Sequence, residues 1–228
     1  MTRVLLLPSP FLPAHVLAPL ADALGRRGWG VVVSTPPAAP RSAAAVLEVF
    51  RVDAARAVPD VVLAHSNAGR FAAHVAPEGA VVVYVDAALP PESGDAPLAP
   101  APLADALAAV TDEDGLMPPW TRWWDEDDLA PVVPDPEVLA RIRADEPRVP
   151  LAYLRDRLAA PAEWQSRPSA YLAFGGTYGP ETERARDLGW PVEVVPGAAH
   201  LHHLTDPEGV AEAVVALVAR AGHGTLPG

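Results

Sequence analysis

The run VVLAHSNAGRFAAHVA, from Val61 to Ala76, holds the residues best spaced to do chemistry. Val61 to Ala64 read as a buried strand, Ser66 follows at a turn, and a helix-compatible run continues from Asn67. Ala64, Ala68 and Gly69 carry no side chain that would obstruct a sharp strand-to-helix reversal. Such a reversal lifts the serine hydroxyl above the sheet and aims the Asn67 amide at the same space, which is how a nucleophile elbow works. The common spelling is G-x-S-x-G; here alanine stands in both glycine positions. Small residues after a strand also serve plain helix packing, so the serine needs partners before it means anything. A nucleophilic serine requires a base, an orienting acid and donors for an oxyanion. The stretch PGAAHLHHLTDPEGV offers the base: His200 falls in the loop after the last expected strand, with His202 and His203 close behind.

The elements that must position these groups alternate along the chain. Strands are expected at Arg3 to Leu7, Gly30 to Ser34, Val61 to Ala64, Ala80 to Val85, Ala170 to Phe174 and Val192 to Val195. Helices are expected at His15 to Arg27, from Ser42 as cap to about Ala57, after Ser66 to near Pro77, and over Glu181 to Leu188. Thr205-Asp206-Pro207-Glu208 reads as a capping box that opens a last helix to about Ala221. The apolar runs are continuous, the pattern of a parallel sheet covered on both faces. Prolines cluster at 36–40, read as a loop, and at 90–102, 118–119 and 131–136. Residues 90–165 break the rhythm, so the expected organisation is a core of 1–89 and 166–228 with a cap inserted at 90–165. A cap there would sit over the carboxyl ends of the strands, where open α/β sheets bind ligands. Trp120, Trp123 and Trp124 either line an apolar substrate pocket or form one helix face, and their spacing fits both. Asp125 to Asp128 lack the alternating ligand spacing of a calcium loop and read as a solvated helix start. His15 reads as a surface residue.

Composition narrows the chemistry. The formal charge of −12 argues against nucleic acid and anionic membranes as partners. Cysteine and lysine are both absent, which excludes disulfides, thiol nucleophiles, thiolate metal sites, a P-loop and Schiff-base or Ser-Lys catalysis. No apolar stretch approaches the roughly 20 residues of a membrane span. The expectation is a cytoplasmic protein without metal or cofactor, whose partner is a small-molecule substrate, with a homodimer left open.

The order of strand, serine elbow, inserted segment and late histidine resembles the α/β-hydrolase fold superfamily, over nearly the whole chain. The resemblance implies a mostly parallel, doubly wound sheet with a helical cap, here without the usual N-terminal antiparallel hairpin. It also implies an oxyanion hole made by the amide after the nucleophile, Asn67, and one from the loop PSPFL. Phe11 is the donor there, since Pro10 has no amide. That loop lacks the family's His-Gly pair. The family's usual acid position falls in GGTYGPETE, which holds no aspartate; its first carboxylate is Glu181. The other family position is the end of the preceding strand, where Asp86 follows an apolar run. Asp86 is therefore the expected acid and Glu181 the fallback, with turn capping as the plain alternative for Asp86. The function implied is a serine esterase or thioesterase for a small apolar or aromatic acyl substrate. The departures also resemble tailoring proteins of natural-product biosynthesis, such as the bottromycin-type epimerases, which keep the fold and drop hydrolysis. A degenerate ligand-binding member is the third alternative.

Overall fold

The computed structural model describes residues 1–37 and 42–222; the loop expected at 36–40 falls in part outside them. The chain opens with β1 (Arg3–Leu7), a 3-10 turn over Ala14–Leu17, α1 (Ala18–Arg26), β2 (Gly30–Val33), α2 (Ala43–Ala57), β3 (Val61–Ser66), α3 (Gly69–Val75) and β4 (Val81–Ala87). It then leaves the sheet for β5 (Asp95–Pro97), α4 (Ala101–Ala108), α5 (Glu126–Leu129), α6 (Pro136–Asp145), α7 (Leu151–Arg155) and β6 (Arg157–Ala159). It returns with β7 (Ser169–Phe174), α8 (Gly179–Asp187), β8 (Val192–Val195), α9 (His202–Thr205) and α10 (Pro207–Gly222).

Six strands form one sheet in the order β2-β1-β3-β4-β7-β8, every neighbouring pair parallel. The chain steps one way from β1 to β2 and the other way from β2 to β3. Right-handed crossovers then place α1 and α2 on opposite faces, the doubly wound arrangement. Residues of β3, β4 and β7 are buried along their whole length, as continuous apolar runs demand of central parallel strands. The short side chains leave room for few large rings, and those present stack: Tyr84 lies on Trp190 with centroids 5.5 Å apart.

Some expectations change in detail. The first helix divides, because Pro19 sits at the start of α1 and a 3-10 turn precedes it. Ser42 caps α2 by accepting the Ala45 amide. The box at 205–208 reduces to a single cap: Asp206 Oδ1 accepts the Gly209 amide, while the Thr205 hydroxyl bonds back to the His202 carbonyl. The inserted segment is not purely helical, since β5 and β6 pair antiparallel and bring its two ends together. Asp156 ties this segment to the start of α2 by accepting the Ala43 amide at 2.7 Å. His15 is half exposed and faces Asp145 at 3.3 Å. Among the described residues no helix is long and apolar enough to cross a membrane.

Candidate active site

Parallel strands deliver all their carboxyl ends to one edge of the sheet; the ends of β3 and β4 carry Ser66 and Asp86 there, and the loops leaving β1, β7 and β8 carry Phe11, Tyr178 and His200. At the end of β3 the pairing with β4 slips, so that Ser66 lies opposite Ala87, and the Ala88 amide donates to the Ser66 carbonyl. Ser66 has φ of 59°, a left-handed conformation that costs a non-glycine residue roughly 1–3 kcal/mol. The following helix is pressed onto β4. A Cβ added at Gly69 would lie 2.0 Å from the Ala88 carbonyl oxygen, so only glycine lets α3 start this close to the strand. At positions 64 and 68 alanine is accommodated, fully buried.

Asp86, at the end of β4, is also left-handed, with φ of 41°, and fully buried. Tyr171 clamps the backbone beside it, donating to the Ala87 carbonyl at 2.6 Å and accepting the Ala87 amide at 3.0 Å. One carboxyl oxygen of Asp86 accepts the Phe174 amide at 3.1 Å, and the other accepts His200 Nδ1–H at 2.6 Å. A carboxylate can only accept, so the His200 proton resides on Nδ1 and Nε2 is left as a base. His65 lies against this imidazole, ring centroids 4.6 Å apart, and donates from Nε2 to the His200 carbonyl at 3.0 Å. Burial pushes the His65 pKa well below the ordinary histidine value, so the ring beside His200 stays neutral. Glu181 stands in the first turn of α8 and makes no hydrogen bond to His200 among the described residues. Burial raises the pKa of its carboxyl.

Ser66, Asn67 and His200 open onto one cavity of about 730 Å³. Trp120, Trp123 and Trp124 all contribute to its lining, as do Phe11 and Glu181. The tryptophans do not share a helix face. Trp120 starts a 3-10 turn after Pro118-Pro119, the Trp123 indole donates to the Pro118 carbonyl at 2.8 Å, and Trp124 is half exposed. Asp125 to Asp128 are exposed at the start of α5, as read, with Asp128 reaching the cavity rim. The Ser66 hydroxyl meets the Tyr178 hydroxyl at 3.4 Å, and among the described residues no hydrogen bond joins it to His200. The Phe11 amide is directed at the Ser9 hydroxyl, 3.4 Å away, at the outer limit for a bond.

Residues 4–213 match the family described as alpha/beta hydrolase family. The chain belongs to that family. No curated protein sequence matches it significantly. Solved structures resemble it along its length. An extracellular alpha/beta-hydrolase from a Paenibacillus species has 16% identity and a TM-score of 0.71, with 95% of this chain and 99% of that one covered. Polyneuridine aldehyde esterase has 18% identity and a TM-score of 0.71, covering 95% and 98%. Tomato methylketone synthase I, solved with 2-tridecanone, has 13% identity and a TM-score of 0.74, covering 96% and 98%. At these identities the likeness concerns the fold.

Three side chains of this α/β-hydrolase family member escaped the sequence reading. Tyr178 lies in the loop GGTYGPETE, where the family resemblance points to a carboxylate; burial raises its hydroxyl pKa to about 12, so it stays a donor. His65 was visible as the residue before Ser66, but nothing in a strand pattern tells which ring it will face. Tyr153, in α7, donates to Asn67 Oδ1 at 2.9 Å, while Asn67 Nδ2 donates to the Leu98 carbonyl at 2.9 Å. The residue after the serine is thereby held by two points of the inserted segment.

Proposed function

We propose that this chain is a serine esterase or thioesterase acting on a small molecule with an apolar or aromatic acyl group. The observation that carries the reading is the 2.6 Å bond to buried Asp86 from His200, which lines the same cavity as the left-handed Ser66. In this reading Ser66 Oγ attacks the acyl carbon and passes its proton to His200 Nε2, while Asp86 steadies the imidazolium. The amides of Asn67 and Phe11 hold the oxyanion, Phe11 giving up its long contact with Ser9. The tetrahedral adduct expels the alcohol or thiol, which takes the proton from His200; a water then repeats the sequence on the acyl-enzyme and frees the acid. Residues 90–165 act as the cap that supplies the apolar wall. The Ser66–Tyr178 contact belongs to the resting state, and serine–base bonds are often loose until substrate arrives.

The test is intact-mass analysis after exposure to a fluorophosphonate. Wild type should gain one adduct and Ser66→Ala none; an ester and thioester panel then finds the substrate. The absence of labelling in folded wild type would sink the reading and favour a non-hydrolytic reaction at the same site. The resting contact of Ser66 with Tyr178 instead of His200 is what supports that second reading.

A further inference from the structure

Arg70 stands in the first turn of α3, one helical turn on from Ser66, and its side chain forms part of the cavity lining. Its Nε is sealed from solvent with no hydrogen-bond partner. Among the described residues no carboxylate lies within ion-pair distance of its guanidinium. Several other arginines have carboxylate partners, Arg3 with Asp60, Arg148 with Asp112 and Arg157 with Asp95, whereas Arg184 shares with Arg70 a sealed nitrogen that no acceptor meets. A mostly buried cation without an ion-pair contact is costly; burial lowers the pKa of this guanidinium, and the Glu181 charge only partly opposes that shift. Among the described residues Arg70 is the one arginine in a lining otherwise dominated by apolar and aromatic side chains. The end-on pair of Nη nitrogens, not the sealed Nε, is the part of this planar fork that can meet an acceptor oxygen in the cavity.

We propose that Arg70 docks an acceptor oxygen, of a carboxylate or a carboxamide, at the far end of the substrate's acyl chain. The assignment rests on the esterase reading of this cavity and gives it a substrate class: acyl chains that are apolar in the middle and end in an acceptor. The two ends meet different neighbours. A carboxylate would bind the guanidinium bidentately but would also feel Glu181 and Asp128 in the same lining. A carboxamide would accept from Arg70 and could donate to Glu181. With a formal charge of −12 the protein offers no long-range pull on anions, so any preference must arise in this contact.

The experiment compares methyl esters of one acyl length whose far end is carboxylate, primary carboxamide or methyl. The ratio of kcat/KM for an acceptor-ended ester to that for the methyl-ended one should fall roughly ten- to a hundredfold in Arg70→Gln. Arg70→Lys should restore part of the ratio for the carboxylate end. An unchanged ratio in Arg70→Gln overturns the proposal. Should that variant fold poorly, binding of the product acids to Ser66→Ala by calorimetry decides, and equal affinity for the methyl-ended acid is the refuting result. If no ester is turned over but acceptor-ended acids bind and lose affinity in Arg70→Gln, the esterase reading fails while the subsite stands. Turnover of all three esters with no preference refutes the subsite alone.

Discussion

Four non-glycine residues among those described have positive φ; Val58 and Glu163 are exposed, whereas Ser66 and Asp86 are buried. Strain that the packing could easily relieve at the surface is thus retained at the two positions the chemistry would use. Asp86→Asn isolates the orienting role, because asparagine tolerates left-handed backbone yet its amide can stabilise the wrong imidazole tautomer. We expect kcat on an activated ester to fall by about 10³–10⁴ with the fold unchanged. Glu181→Gln should cost less than roughly tenfold, and a larger loss would move the acid's role to α8. These two carboxylates could be ranked from sequence because strand ends are legible there. Ser66, Asp86 and His200 each follow an apolar run, and parallel strands must bring such ends to one edge. The hydroxyl of Tyr178 and the ring of His65 left no comparable sign, since their value lies in which side chain they meet across the fold.

At the scale of elements, two glycines make opposite predictions. Gly69→Ala drives a methyl group into the Ala88 carbonyl, so α3 must lift from β4; we expect a loss of about 1–3 kcal/mol and lower activity. Gly25 lies inside α1 with nothing within 4 Å of an added Cβ, and Gly25→Ala should stabilise by about 0.4–1 kcal/mol. Thermal unfolding of both variants checks the pair, and a Gly69→Ala protein as stable as wild type would show that the elbow is looser than drawn. Strands and helices of the sheet were legible because their periodicity is strong. The inserted segment was not, because its elements are short and set by prolines and by contacts distant in sequence. Trp120 to Trp124 illustrate this: their helical spacing is real, but Pro118-Pro119 start a 3-10 turn and Trp123 bonds back to it.

For the molecule as a whole, acid should be destabilising in a way traceable to two rings. His65 and His203 are fully buried; the His203 pKa falls from its ordinary 6.5 to about 3, and that of His65 also lies well below the ordinary value, desolvation leading in both. Unfolding lets them take up protons, so the unfolded state binds more protons below about pH 6.5. The His203 contribution is then fully present above that value and is lost as pH falls toward 3, by roughly 1.4 kcal/mol per pH unit, and His65 acts in the same direction. Urea unfolding at about pH 7 and about pH 5 should differ accordingly, and His203→Phe should shrink the difference by about 2 kcal/mol. An identical pH slope in that variant would contradict the assignment. One tether has a reach beyond any of these scales. Asn67, the residue after Ser66, has its side-chain amide gripped by Tyr153 and by the Leu98 carbonyl. A graft that exchanges residues 90–165 for another segment would therefore rewrite selectivity and turnover together. On the esterase reading the two are not independent traits, and a transplanted segment that lacks the Tyr153 hydroxyl would leave Asn67 held at one point fewer.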